Sequence, residues 1–118
     1  MMLEWENLEH WIERLGDQRG ELVRATLERV ADAPPDTDLV HRLCAETLAA
    51  AEIVASCAGA APDELPAAVR DYVESCGVPD EELVRIAFRA VERVGLQRPE
   101  HDDALVDLEE RLGAILSA

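Results

Sequence analysis

Leu48-Ala49-Ala50-Ala51-Glu52-Ile53-Val54-Ala55 sets one charged side chain among seven apolar ones. Ala is the best helix former, and no glycine or proline interrupts the run. Working outward, Leu39, Val40, Leu43, Cys44, Leu48, Ala51, Val54 and Cys57 share about half of a helical circumference at roughly 100° per residue. The opposite face still carries Ala45, Ala49 and Ile53. A helix this apolar is contacted on more than one side. The reading is a helix over about Leu39 to Ala58, central to the fold, capped by Asp36 or Asp38 and ended by Gly59.

The flanking segments read as helices too. The first runs from about Glu4 to Leu15, with Trp5, Leu8, Trp11, Ile12 and Leu15 in one arc and Gly16 as its stop. The second ends near Ala31, before Pro34-Pro35, and its stripe is Leu22, Val23, Thr26, Leu27 and Val30. Pro66 suits the first turn of a fourth helix that runs to about Ser75, with Val69, Tyr72 and Val73 inward. A fifth, from about Asp80 to Val94, buries Leu83, Ala87, Val91 and Val94 and stops at Gly95. The last opens at Asp102 or Asp103 and turns Leu105, Leu108, Leu112 and Ile115 inward. The glycines thus read as helix stops. No strand pattern competes, so residues 1–118 form one all-α domain. It is a compact bundle of about six helices packed around the Ala-rich third.

The charge is lopsided: 26 acids against 11 bases give a net charge of −15. Phosphate backbones and anionic membrane surfaces repel such a chain, so nucleic acid and membrane are not expected partners. A basic protein is the partner that this field attracts, although net charge also serves solubility alone. Every base is Arg, which excludes Schiff-base, P-loop and general-base lysine chemistry.

Cys44 and Cys57 share one helix, roughly 20 Å apart at 1.5 Å per residue, and cannot bridge each other. The simplest reading of these two with Cys76 is buried free thiols in a reducing cytoplasm. The acidic start MMLEWENLEH is no signal peptide.

Candidate sites are sparse. His41 with Cys44 at i, i+3, and Glu6 with His10 at i, i+4, are metal-ligand spacings without third and fourth ligands, so no metal and no cofactor are expected. No Ser or Thr sits in a Gly-flanked elbow, and no Gly-rich phosphate loop is present. Glu52 stands out. A carboxylate in an Ala-rich face must find donors or take up a proton. An Arg or the Trp11 indole N–H would satisfy it structurally; a ligand is the functional alternative. Arg85, Arg89 and Arg93 form an i, i+4 row. It reads either as neutralisation by Glu81, Glu92 and the acids Asp107, Glu109 and Glu110, or as an anion-binding strip.

At Leu48 to Ala55, followed by Gly59, Pro62, Leu65-Pro66, Val69 and Tyr72, the chain resembles the bacterial domain-of-unknown-function family numbered 4259. Trp11-Ile12 with Leu15 is similar to that family's first-helix segment, with His10 where the family has Asp. Leu83 to Val94 and Leu105 to Leu112 resemble its later helices. Two family features depart. The Trp-Gly-rich opening with its Asn-Asp pair is reduced to Trp5-Glu6-Asn7, and Gly95 to His101 replaces a Trp-containing segment. The resemblance implies a fold and carries no activity.

The expected function is a non-enzymatic, acidic protein-binding module, inhibitor-like or immunity-like. The alternative is a small-molecule or metal-dependent enzyme whose carboxylates assemble only in the fold. A polar pocket holding Glu52 would favour the second, and a broad acidic surface the first.

Overall fold

The computed structural model describes residues 8–18, 20–34, 36–59, 65–97 and 102–117. Among them six α-helices follow in order: α1 Glu9–Gln18, α2 Gly20–Ala31, α3 His41–Cys57, α4 Ala67–Cys76, α5 Glu81–Gln97 and α6 Asp102–Ser117. No strand occurs among the described residues. The expected start of the first helix at Glu4, and Trp5 on its stripe, lie outside the described residues, as do Pro35, Pro62 and Pro99.

α3 is the axis of the bundle, packing against α2, α4, α5 and α6. Thr47, Leu48, Ala49, Ala50 and Ala51 are consecutive and all buried, as are Ile53, Val54, Ala55 and Ser56. Five buried residues in a row exceed one full turn, so the helix is covered all round there. Small side chains permit this, because alanine brings neighbouring backbones close without leaving voids. Val40, placed on the apolar arc by its spacing, is 59% exposed. It is the N-cap residue and so precedes the helix whose periodicity it was assigned.

The start of α3 is held in a different way from the one expected. Neither Asp36 nor Asp38 caps it; no side chain bonds from the N-cap position. Gln97, at the end of α5, provides the anchor instead. Its Oε1 accepts from the Leu39 N–H at 2.8 Å, and its Nε2 donates to the Thr37 carbonyl at 2.6 Å. One turn earlier, Arg93 donates to the Ala33 carbonyl at 2.5 Å and to the Pro34 carbonyl at 2.8 Å. The α2–α3 connection is therefore pinned by two side chains of α5, spaced i, i+4.

α5 packs against α2, α3 and α6. It buries Val84, Ile86, Ala87, Ala90, Val91 and Val94, a wider face than the stripe expected, and Leu83 is half-buried. Asp80 starts it: its Oδ1 accepts from the Leu83 N–H at 2.7 Å, the bond of an N-cap. The helix does not stop at Gly95, nor does α1 stop at Gly16; both glycines lie inside helices. Gly113 is likewise inside α6. Glycine lowers helix propensity by about 1 kcal/mol but does not terminate a helix whose other residues are packed. Gly59 and Gly77 are true stops, with φ of 102° and 74°.

The cysteine reading is also corrected. Cys57 and Cys76 form a disulfide, with Cα atoms 6.8 Å apart. They close α3 and α4 respectively, and the two helix ends meet. Spacing along α3 excluded only the Cys44–Cys57 pair. Cys44 lies outside this disulfide, and its buried thiol donates to the Leu39 carbonyl.

Candidate functional site

Glu52 points from α3 toward α6, where Arg111 meets it. Arg111 Nη1 donates to Oε1 at 3.0 Å and Nη2 to Oε2 at 2.5 Å. This is the bidentate fork that a guanidinium presents to a carboxylate. The side chains are 14% and 18% exposed, so the pair is largely withdrawn from water. Asp107, one turn before Arg111 on α6, takes a further bond from Nη1 at 3.1 Å and is mostly exposed. Burial pulls the Arg111 pKa down, but the hydrogen bonds and charge of Glu52, then those of Asp107, outweigh it. The net direction is up from the usual arginine value. The guanidinium is a fixed cation, and Glu52 sits against it.

Ser56 follows Glu52 by one turn of α3. It is buried, and its hydroxyl has no hydrogen-bond partner.

Trp11 does not serve Glu52. Its indole Nε1 donates to Thr26 Oγ1 at 3.1 Å across the α1–α2 contact, and both side chains are buried. That bond explains why a threonine is tolerated within the apolar stripe of α2.

The arginine row on α5 is engaged residue by residue. Arg85 pairs with Glu81 on its own first turn at 2.6 Å. Arg89 reaches Asp32, just past α2, at 3.8 Å. Arg93 holds the carbonyls of Ala33 and Pro34. Of the expected neutralisers, Glu81 takes part; the acid Asp107 serves Arg111 instead. The five candidate residues thus fall in separate places: Glu52 between α3 and α6, Trp11 between α1 and α2, and the arginines along α5.

Four participants were not singled out in the sequence: Arg111, Gln97, Asp32 and Thr26 as acceptor. For Arg111 a signal existed. On a helical wheel it falls about 40° beyond Ile115, at the border of the inward stripe of α6. A long cation at such a border reaches buried acids on a neighbouring helix.

Among the described residues, no group of three or more His, Cys, Asp or Glu side chains could hold a metal ion. No described helix is long and apolar enough to cross a membrane.

The central α3 with its Ala-rich run, Trp11 on α1 and the later amphipathic helices are the features that a family comparison can weigh. The model of a domain of unknown function, DUF4259, matches residues 8–111. The chain belongs to the DUF4259 family. The matched span of DUF4259 contains both Glu52 and Arg111, so the α3–α6 ion pair lies wholly inside the family domain. No curated protein and no solved structure matches the chain.

Proposed function

We propose that this DUF4259 protein is a non-enzymatic, acidic binding module of the bacterial cytoplasm, with a basic protein as its partner. One observation carries the reading: among the described residues, seven arginines engage the chain's own acids and carbonyls. Arg24, Arg42, Arg85, Arg89 and Arg111 pair with the chain's own acids, and Arg70 and Arg93 donate to its own carbonyls. Such cations offer little to an incoming anion. Exposed carboxylates such as Glu21, Asp71, Glu74, Glu92 and Glu110 face solvent, and the net charge is −15. That distribution attracts cationic surfaces and speeds encounter with them. The engagement of Glu52 by Arg111 supports the same reading, because both carboxylate oxygens are already taken by the guanidinium.

The test is affinity capture from the native cell at low salt, followed by calorimetry with the purified partner at low and high salt. The expected partner is basic, and its affinity falls as salt rises. Binding indifferent to salt would remove the electrostatic argument. Turnover of a small molecule that is lost in Glu52→Gln would replace the module with an enzyme.

A further inference from the structure

α4 is the least embedded helix. Val69 is its one buried side chain, Tyr72 and Val73 are half-buried, and the other seven residues are exposed. α5, by contrast, buries six residues. α4 packs against α1 and α3, and its last residue is tied to the last residue of α3 by the Cys57–Cys76 disulfide. Cys76 is exposed, so a thiol in solution can reach this bond.

We propose that Cys57–Cys76 is a redox latch that holds α4 on the bundle, and that a dithiol reductant releases the helix. A thiolate of the dithiol attacks the exposed Cys76 sulfur and expels Cys57 as a thiolate. The second thiol of the reductant then attacks its own sulfur in the mixed disulfide and expels Cys76. Both cysteine thiolates take up a proton. The dithiol loses two electrons and two protons and becomes a disulfide, so the exchange balances.

Three features make the bond a latch and not a staple of the whole fold. It joins residues 19 apart in sequence, so it constrains one helix and its connection. It closes the element with the least buried apolar surface, and such elements open first. The core formed by α2, α3, α5 and α6 is held by its own packing, which includes the buried Cys44. A cross-link over a loop of this size lowers the equilibrium constant for local opening by a factor on the order of 10². Its removal leaves α4 held chiefly by Val69, and its departure uncovers the faces of α1 and α3 beneath. In a reducing cytoplasm a disulfide is transient and redox-sensing; the cellular use of the latch rests on that proposed compartment, while the latch itself does not.

Hydrogen exchange of the full chain, air-oxidised and then treated with dithiothreitol, tests it. Amides of residues 67–76 are expected to exchange at least about tenfold faster after reduction, with residues 84–94 changed less than about twofold. The variant Cys57→Ser with Cys76→Ser should show the reduced pattern without reductant, and Cys44→Ser should keep the full redox response. Three reactive thiols in the oxidised, denatured chain would overturn the proposal. So would unchanged exchange in α4 on reduction, or equal acceleration in every helix. Fractionation of the native cell tests the compartment separately, so the two can fail independently.

Discussion

A single carboxylate in the Ala-rich run obliges the fold to supply a donor, and the fold supplies Arg111. The worth of that pair lies between two limits. An exposed pair contributes about 0–1 kcal/mol, and breaking a fully buried one costs about 3–5 kcal/mol. At 14% and 18% exposure the Glu52–Arg111 pair falls between them. Glu52→Ala should therefore cost about 1–3 kcal/mol, which lowers Tm by on the order of 4–12 °C for a chain of this size. Glu52→Gln keeps the shape and one acceptor, and its cost should be smaller. Urea melts of Glu52→Ala, Arg111→Ala and the double variant form a cycle. The double variant is expected to be more stable than the summed single losses require, by about 1 kcal/mol or more. Additive losses would show that the two groups do not stabilise each other. At this scale the sequence announced the need but not the partner. Glu52 is visible because its neighbours in the chain are apolar. Arg111 lies 59 positions away, and only packing chooses it from the other arginines. The Trp11 indole, an equally plausible donor by chemistry, was claimed by the hydroxyl of Thr26.

Glycines decide the lengths of the elements, and they do so in two ways. Gly59 and Gly77 adopt positive φ, a backbone that other residues enter only with strain. Gly95 and Gly113 are ordinary helical residues at the contact between α5 and α6. A Cβ at Gly95 would lie 3.7 Å from Leu105 Cδ1, and one at Gly113 would lie 3.8 Å from Phe88 Cε2. These contacts join the late part of each helix to the earlier part of the other, as in an antiparallel pair. Both distances are ordinary van der Waals separations, so a methyl group fits. Gly95→Ala and Gly113→Ala should each stabilise the protein, by about 0.5–1 kcal/mol, through helix propensity and a stiffer unfolded chain. Thermal melts check this, and a lower Tm for either variant would mean that α5 and α6 need a closer approach than these distances describe. The six helices were legible from apolar spacing because that signal is repeated over several turns. Their ends were legible in part: Ala31, Asp80 and Gly59 mark ends as read, whereas Gly16 and Gly95, read as stops, lie inside helices. A stop glycine and an interior glycine are the same letter, and the φ that separates them is set by what packs around the turn. The start of α3 escaped for a related reason: its anchor, Gln97, lies 58 residues downstream of Leu39.

Across the whole molecule the dominant quantity is the net charge of −15 carried by a body of 36 × 34 × 26 Å. At an ionic strength of about 0.01 M the Debye length is about 30 Å, so carboxylates on opposite faces still repel one another. At about 0.15 M it is about 8 Å, and repulsion is confined to near neighbours. The local ion pairs respond differently. Arg24 lies 3.5 Å from Asp80 and Arg85 lies 2.6 Å from Glu81, well inside either screening length. Each such exposed pair is also worth little. Screening therefore removes more long-range repulsion than short-range attraction. Sodium chloride should stabilise the fold between these two concentrations, by about 1–2 kcal/mol and so by roughly 3–10 °C in Tm. Chloride is the suitable salt, because sulfate or phosphate would strengthen apolar burial in any protein. The sign is the informative part. A Tm that stays level or falls with sodium chloride would mean that the ion pairs offset the excess of acids and that the long-range field is weak. The same measurement bears on the proposed partner. A field strong enough to destabilise the free chain at low salt is strong enough to draw in a cationic surface, so salt should stabilise the chain while weakening its complex. Melts of the free protein and calorimetry of the complex, run across one salt series, should move in opposite directions.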